Sequence, residues 1–448
     1  MYQRILDRYR LAAGCQISFV RTLSMVMGLF LVSVEVVSAE TGEISAGDTA
    51  WVLTSAALVL FMTPGLGFFY AGMVRTKNVL STLMHSFVMC GVVGVVWVLW
   101  GYSLSFSGSS PWIGDLGYFG LSGIGLEAMD GGTIPHLLFV MFQGMFAIIT
   151  AALISGAFAE RIRFGAFVVV MIFWTTLVYS PICHWVWGDG GWLGERGAMD
   201  FAGGTVVHIS SGIAALAFAL VLGRRKNLGS EEMAPHNLTL TILGTAILWF
   251  GWFGFNAGSA LAADSVAASA FVVTNTAAAA AALSWLLVEK VHRGKPTALG
   301  AASGAVAGLV AITPASGFVN VMGALMIGAV VSLLSYTAIQ FKSRMGYDDA
   351  LDVVGIHFVG GAWGAIATGL LAVEAIGGSN GVFFGGGLAP LVEQIIAVVA
   401  TAVYSFVVTM IILLAVKLVM PLRVTSEEET IGLDLTQHGE MGYNLEAV

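Results

Sequence analysis

Long apolar segments constrain this chain more than any other feature of its sequence. Only 10% of its 448 residues are charged and 57% are hydrophobic, whereas about 25% of the residues of a soluble domain are charged. A helix needs about 20 apolar residues to cross the hydrocarbon core of a membrane. The sequence therefore predicts an all-α polytopic membrane protein with eleven transmembrane helices, near residues 49–72, 79–104, 134–158, 164–186, 202–223, 238–259, 266–289, 298–314, 317–340, 353–375 and 391–418.

The distribution of lysine and arginine predicts the orientation of these helices. If the mature N-terminus lies outside, fourteen of the fifteen Lys and Arg residues after Ala39 fall on the inner side, and only Arg196 falls outside. Cytoplasmic loops of membrane proteins carry such an excess of basic residues. We therefore expect a membrane domain at 40–420, a cytoplasmic C-terminal tail at 421–448, and a location in the inner (plasma) membrane of a bacterial cell.

The first 39 residues have the order of a secretory signal peptide. Four arginines come first, the apolar stretch LSMVMGLFLVSV follows, and VVSA stands directly before Glu40. A basic region, an apolar region of about a dozen residues and a small-residue cleavage site are typical of such a peptide. We predict cleavage after Ala39, and an uncleaved signal anchor is the alternative.

The fifth and tenth helices are predicted to be related by an inverted repeat. The fifth begins DFAGGTVVHISSG at Asp200, the tenth begins DVVGIHFVGG at Asp352, and each carries a histidine within two turns, His208 or His357. A repeat of five plus five helices, with one helix added, places the two halves in opposite orientation. The two histidines would then meet near the centre of the membrane.

Histidines inside a membrane indicate function because ionisable residues are costly there and tend to mark conduction or proton pathways. Metal ligation is the competing interpretation for His208 and His357. It is disfavoured because neither helix face offers a carboxylate or thiolate to complete a ligand shell. A third intramembrane histidine, His85, is predicted to be a hydrogen-bonded tie between helices.

Aromatic and hydroxyl side chains gather at the outer ends of these helices. Phe142 and Phe146 lie one turn apart on the third helix, Trp187 ends the fourth, and Phe255 and Ser259 end the sixth. Each residue alone is typical of core packing or of an interfacial aromatic belt. Together they indicate a cation site, since aromatic faces attract a small cation and a serine hydroxyl accepts a hydrogen bond.

Six longer motifs carry a resemblance to a known family. FMTPGLGFFYAGMVRTKNVLS, AERIRF, DFAGGTVVHI, GWFGFNAGSA, DVVGIHFVGG and GLDLTQHGE resemble the ammonium transporter family, the Amt branch of the Amt/Rh/Mep superfamily, from about residue 49 to 445. The resemblance implies a homotrimer of independently conducting subunits, each with eleven helices and a narrow apolar pore. It also implies ammonium as the substrate and a PII-type signal protein as a partner at the cytoplasmic face. No cofactor, metal or nucleic acid is expected.

The resemblance also implies roles for eight residues. They are ammonium recruitment for Trp187, Phe142 and Ser259, a phenyl gate for Phe146 and Phe255, a pore proton relay for His208 and His357, and structural support for Asp200.

These residue types favour an ammonium transporter that deprotonates its substrate and conducts ammonia with a separately transferred proton. Apolar walls select against potassium because it must cross as a costly desolvated cation, whereas ammonium can cross as neutral ammonia. A passive ammonia gas channel and an ammonium sensor that regulates the nitrogen response remain alternatives. The sequence disfavours an enzyme, since it shows no nucleophile with its base, no carboxylate pair in a cleft and no cofactor fingerprint.

The C-terminal segment EEETIGLDLTQHGEMGYNLEAV leaves two structures open. Its six acidic residues permit a disordered acidic tail. Its family-like GLD and HGE favour an ordered tail that bridges subunits.

Overall fold

The computed structural model describes residues 42–443, so the predicted signal peptide at 1–39 lies outside the described residues. Eleven helices in this part are long and apolar enough to cross a membrane, which confirms the number predicted. They are α1 (Ala46–Met73), α2 (Thr76–Phe106), α3 (His136–Phe158), α4 (Phe164–Glu195), α5 (Gly204–Leu222), α6 (Leu238–Ala260), α7 (Ser265–Arg293), α8 (Ala298–Ala315), α9 (Val321–Met345), α10 (Val354–Leu371) and α11 (Ala389–Val419).

Both ends of α9 lie further along the chain than the boundaries near 317–340 that the hydropathy predicted. The side chain of Asn320 accepts the backbone N–H of Gly323 and caps the helix, so that α9 begins at Val321. Gly346 ends it with a left-handed φ of 79°. Capping residues therefore set the ends of the helix, whereas hydropathy shows only its apolar middle.

The two helices that carry His208 and His357 cross at close range. Each begins with a π-helical segment, Gly204–Ile209 or Val354–Phe358, and each carries a glycine four residues after its histidine. A Cβ on Gly212 would lie 2.3 Å from the backbone nitrogen of Phe358, and a Cβ on Gly361 would lie 3.0 Å from the Cβ of His208. Glycine allows this approach, and the reciprocal contacts are those that an inverted repeat requires.

A carboxylate caps each π-helical segment, and one of the two is not the residue that the sequence pattern indicated. The sequence paired Asp352 with His357, but the structure shows Asp349 accepting the backbone N–H of Val354 at 2.8 Å. Asp349 precedes His357 by eight residues, which is also the separation between Asp200 and His208. Asp352 has a left-handed φ of 64° and binds Lys342 instead.

Buried ion pairs connect the loops at one face of the bundle, which we call the tail face because residues 421–443 pack there. Glu160 contacts Arg75 at 2.6 Å and Asp348 contacts Arg225 at 2.9 Å. Burial opposes ionisation of Asp348, but the hydrogen bond and charge of Arg225 hold the pKa of Asp348 below its ordinary value. These pairs join four loops, those that follow α1, α3, α5 and α9.

The tail is ordered against its own chain as far as residue 443. Thr425 and Glu428 form a capping box at the start of α12 (Ser426–Ile431). Asp434 accepts the backbone N–H groups of Leu80 at 3.0 Å and Ser81 at 2.8 Å, in the first turns of α2. The alternative of a disordered acidic tail is therefore wrong for residues 421–443, while contact with other subunits stays a prediction.

Candidate functional site

Four aromatic rings from α3, α4 and α6 meet around Phe146. The centroid of the Phe146 ring lies 5.0 Å from that of Phe142, 6.1 Å from that of Trp187 and 4.2 Å from that of Phe255. The three phenylalanines are buried and Trp187 is partly exposed. The structure thus brings together the aromatic residues that the sequence predicted. We call Phe142, Trp187 and Ser259 the outer aromatic site, and Phe146 with Phe255 the phenyl gate.

Ser259 lies one turn beyond Phe255, at the end of α6. Its hydroxyl donates to the carbonyl oxygen of Phe255 at 2.8 Å, and its side chain is only partly buried. A hydroxyl that donates its single hydrogen in this way keeps its oxygen lone pairs for incoming donors. The oxygen of Ser259 can therefore still accept a hydrogen bond.

Both carboxylate oxygens of Asp200 accept hydrogen bonds from the start of α5. Its carboxylate accepts the backbone N–H groups of residues 203–206, at 2.6 to 3.3 Å, and the hydroxyl of Thr205. Its backbone carbonyl accepts the indole N–H of Trp187 at 2.9 Å. The carboxylate therefore stabilises the start of α5, and the backbone carbonyl of the same residue holds the indole of Trp187.

His208 and His357 lie side by side on the other side of the phenyl gate from the outer aromatic site. Their Nδ1 atoms are 3.2 Å apart, and their rings are stacked with centroids at 5.3 Å. Both side chains are buried. One Nδ1 must donate and the other accept, so the two rings hold opposite tautomers. We call this pair the twin histidines.

Two small cavities meet at His357. The first has a volume of about 10 Å³ and is lined by apolar side chains together with Phe255, His208 and His357. That volume is close to the least that holds one water-sized molecule. The second, of about 50 Å³, lies toward the tail face and includes Ser303 and Asp352 in its walls. The cavity next to the phenyl gate is therefore narrow and mostly apolar, and the cavity toward the tail face is wider and more polar.

The chain matches a known protein family over most of its length. The model of the Ammonium Transporter Family matches residues 50–443. The chain belongs to the ammonium transporter family. This assignment agrees with the resemblance carried by the motifs, and it makes the chain a multi-pass membrane transporter rather than an enzyme.

Individual relatives and solved structures agree with the family assignment. An ammonium transporter of Bacillus subtilis strain 168 is 54% identical over 402 residues, covering 89% of this chain and 98% of its own. A solved structure of Mep2 from Candida albicans has a TM-score of 0.82 at 38% identity, covering 89% of this chain and 90% of that one. A solved structure named Sensor Amt Protein has a TM-score of 0.80 at 32% identity, covering 88% and 98%.

Trp252 also contacts the twin histidines, although the sequence pattern did not indicate it. Its ring stacks on that of His208, with centroids at 5.5 Å and an angle of 20° between the planes. Its indole N–H donates to the hydroxyl of Thr313 at 2.9 Å, which fixes the ring. Trp252 precedes Phe255 by three residues, so the helical period already placed both on one face.

The prediction for His85 was wrong in its chemistry. The ring packs against Phe158, Phe164 and Phe167, with centroids at 5.7, 6.1 and 4.8 Å. Its Nε2 atom has no hydrogen-bond partner among the described residues. His85 therefore fills an aromatic pocket instead of tying helices by a hydrogen bond, and it lines neither cavity of the pore.

Asp349 provides a pH-dependent prediction for the ammonium transporter. Burial raises the pKa of Asp349 to about 6, against the opposing charge of Lys342. A raised carboxyl pKa contributes stability that is complete below the unfolded pKa of about 3.8 and is lost as pH rises through the folded value. Asp349→Asn removes this titration, so the variant should gain stability relative to wild type between about pH 4 and pH 7, by roughly 3 kcal/mol. Thermal unfolding in detergent across this pH range measures the stability of the variant relative to wild type. A stability difference that does not change with pH would contradict the prediction.

Proposed function

We propose that this transporter binds ammonium at the outer aromatic site, removes a proton there, and conducts ammonia through the phenyl gate. The proton crosses separately along the twin histidines. The observation that carries the proposal is the 3.2 Å contact between the Nδ1 atoms of His208 and His357. It is the polar contact between the side chains that line the narrow first cavity.

The cost of desolvation favours ammonia over an intact cation in the narrow first cavity. An intact cation in the narrow first cavity would lose its water shell against mostly apolar walls, which costs several kcal/mol or more. Ammonia carries no charge and can both donate hydrogen bonds to the imidazole nitrogens and accept them. Potassium has no proton to give up, so the same walls reject it.

The outer aromatic site fits the first step. The faces of Trp187 and Phe142 attract a small cation through their ring quadrupoles, and the oxygen of Ser259 accepts one N–H. The phenyl gate then separates this site from the twin histidines, because the centroids of its two rings are only 4.2 Å apart.

We infer that the tail face is cytoplasmic. Fourteen of the fifteen Lys and Arg residues after Ala39 lie on that side of an eleven-helix bundle. The signal peptide at 1–39 would then leave the mature N-terminus outside, with the membrane domain at 40–420 and the tail at 421–448. An inner (plasma) membrane of a bacterium is the location that this arrangement favours, and the Bacillus subtilis relative agrees with it.

We also propose a homotrimer that binds a PII-type signal protein at its cytoplasmic face. The family resemblance supports both partners. The ordered tail supports the binding of a PII-type protein, because a packed tail face offers a fixed surface for docking. A sensing role is the second candidate function, and the likeness to the structure named Sensor Amt Protein favours it.

Currents on a solid-supported membrane test the transport mechanism. A jump in ammonium should give a saturable current that a matched potassium jump does not. The double variant Phe142→Ala with Trp187→Ala should lower the apparent affinity about tenfold or more, since both cation–π contacts are lost. Trp112→Ala is the control, because Trp112 is 60% exposed and lies outside the site.

Each contrary result of this experiment identifies an alternative. Alkalinisation of vesicles without current would mean that ammonia passes alone, as in a gas channel. Neither current nor alkalinisation from a folded protein would favour the sensor. An equal loss of apparent affinity for ammonium in the control and in the double variant would remove the outer aromatic site from the proposal.

A further inference from the structure

The segment that joins α4 to α5 is anchored by the first turns of α11. It comprises residues 196–203, which we call the Asp200 segment because it carries Asp200, the residue that holds the indole of Trp187. α11 begins at Ala389 and packs against both α5 and α10. It is the helix that is added to the five-plus-five repeat, so its role has to come from these contacts.

The side-chain amide of Gln394, in α11, pairs with the backbone of Met199 in the Asp200 segment. Its oxygen accepts the backbone N–H of Met199 at 2.7 Å, and its Nε2 atom donates to the carbonyl oxygen of Met199 at 2.8 Å. The same Nε2 atom donates to the carbonyl oxygen of Ala365, in α10, at 2.9 Å. Gln394 is only 1% exposed, and these three bonds use its oxygen and both of its N–H groups. One side chain thus joins the Asp200 segment to α10 and α11.

A second anchor lies on the other side of Asp200. The backbone N–H of Phe201 donates to the carbonyl oxygen of Pro314, at the end of α8, at 3.1 Å. The peptide group between Asp200 and Phe201 also carries the carbonyl that accepts the indole N–H of Trp187. Gln394 fixes the residue before Asp200, and Pro314 fixes this peptide group itself. The position of the indole therefore depends on both anchors.

An ion pair beside Gln394 is too exposed to hold the Asp200 segment alone. Glu393 contacts Arg196 at 2.8 Å, with side chains that are 21% and 45% exposed. Exposed ion pairs stabilise a protein little, because water and salt screen their charges. A buried amide has a larger effect, because the backbone groups that it pairs cannot turn to water when it is lost. Gln394 therefore provides most of the anchoring by α11.

We propose that Gln394 is a positioning residue for ammonium binding at the outer aromatic site. It holds the Asp200 segment against α10 and α11, so that the indole of Trp187 stays in place beside Phe146. Gln394 lines neither cavity of the pore, so its effect on ammonium acts through Trp187. The inference rests on the ammonium site proposed above, and it gives α11 a role in transport.

A purely structural role is the alternative for Gln394. An amide that only stabilises the contact between helices would lower the melting temperature when it is removed and leave the affinity for ammonium unchanged. Positioning of Trp187 predicts a second effect, which is a loss of affinity that disappears when the indole of Trp187 is itself absent. The two roles therefore differ in a double-mutant cycle.

Ammonium currents of the purified full-length transporter on a solid-supported membrane test the proposal. Gln394→Met keeps the length of the side chain but removes its strong hydrogen-bonding groups, so the backbone of Met199 loses both partners. The half-saturation concentration for ammonium should rise about fivefold, because a displaced indole loses part of its attraction for the cation. The maximal current should stay close to that of wild type, because the phenyl gate and the twin histidines are unchanged. In the Trp187→Ala background the same substitution should cause no further rise.

Thr409→Val is the matched control. Thr409 is also a buried polar residue of α11, and its hydroxyl accepts the indole N–H of Trp174 at 3.0 Å. Its replacement should lower the melting temperature, as Gln394→Met does, and leave the half-saturation concentration unchanged. Gln394→Asn is measured if the methionine variant does not fold. It keeps the amide on a side chain that is about 1.5 Å shorter, so it should still raise the half-saturation concentration.

A wild-type half-saturation concentration in a folded Gln394 variant would overturn the proposal. An equal rise in Thr409→Val, or an equal further rise when Gln394→Met is added to Trp187→Ala, would overturn it as well. If Trp187→Ala alone leaves the half-saturation concentration unchanged, the outer aromatic site is wrong and the proposal for Gln394 falls with it. If Trp187→Ala raises it and the Gln394 variants do not, the outer aromatic site stands and Gln394 is purely structural.

Discussion

Replacing His208 by leucine is expected to lower ammonium transport by about 5- to 150-fold, because a neutral molecule with unpaired polar groups in an apolar site loses about 1–3 kcal/mol. Leucine is close to histidine in size, so the variant removes the hydrogen-bonding nitrogens while it fills the same space. The Nδ1 contact with His357 is lost at the same time. The ammonia that still passes should carry no current, because no imidazole pair is left to carry the proton.

The matched control for this variant is His85→Leu. His85 is also a buried histidine of a membrane-spanning helix, but it lies among three phenylalanines and lines neither cavity of the pore. Its replacement should leave the uptake of ammonium and the current close to wild type. Both variants are measured after size-exclusion chromatography confirms a folded protein. Wild-type uptake with unchanged selectivity in His208→Leu would overturn the role of the twin histidines.

Trp252 also contributes to the position of His208. It stacks on His208 and is fixed through Thr313, so it restricts the orientation of the imidazole ring. The first cavity is lined by Trp252 and His208 as well as by Phe255 of the phenyl gate. Orientation of the twin histidines therefore depends on α6 and α8 as well as on α5 and α10.

Hydropathy was sufficient to predict the eleven helices because a membrane requires each span to satisfy its backbone internally and to expose apolar side chains. The pairing of His208 with His357 was also predictable, since five plus five helices place the fifth and tenth in opposite orientations. These features depend on the order of apolar and small residues along the chain, which the sequence displays directly.

Contacts that depend on local backbone geometry were not predictable from the pattern. The sequence pointed to Asp352 as the partner of Asp200, whereas the left-handed turn at Asp352 leaves Asp349 to cap the second π-helical segment. The pocket around His85 required knowledge of which helix faces meet. The order of the tail depended on Asp434 reaching the start of α2, a contact between residues more than 350 positions apart.

Removing the carboxylate of Asp200 should have the largest effect on stability. Asp200→Ala leaves the backbone N–H groups of residues 203–206 without their acceptor in a buried site, and each unsatisfied donor costs about 1–3 kcal/mol. The effects are not additive because the helix start can rearrange, so we expect a total loss of about 3 kcal/mol or more. The melting temperature of the purified protein measures it.

Asp264→Ala is the matched control for the stability of Asp200→Ala. Asp264 also caps a helix, but it is exposed and accepts the backbone N–H of Ala267 alone. Loss of such a cap costs about 1 kcal/mol. A melting temperature for Asp200→Ala no lower than that of Asp264→Ala would contradict the proposed support of α5.

Variants of Asp200 also show whether this residue supports the outer aromatic site or contacts the substrate. Trp187 is held by the backbone carbonyl of Asp200, so disorder at the start of α5 displaces the indole and weakens ammonium binding. Asp200→Asn keeps one acceptor oxygen and should restore part of both the stability and the apparent affinity. If Asp200 instead attracted ammonium by its charge, Asp200→Asn would lose affinity as fully as Asp200→Ala while recovering its stability. Parallel recovery of the melting temperature and of the half-saturation concentration for current is therefore the result that assigns Asp200 to structural support.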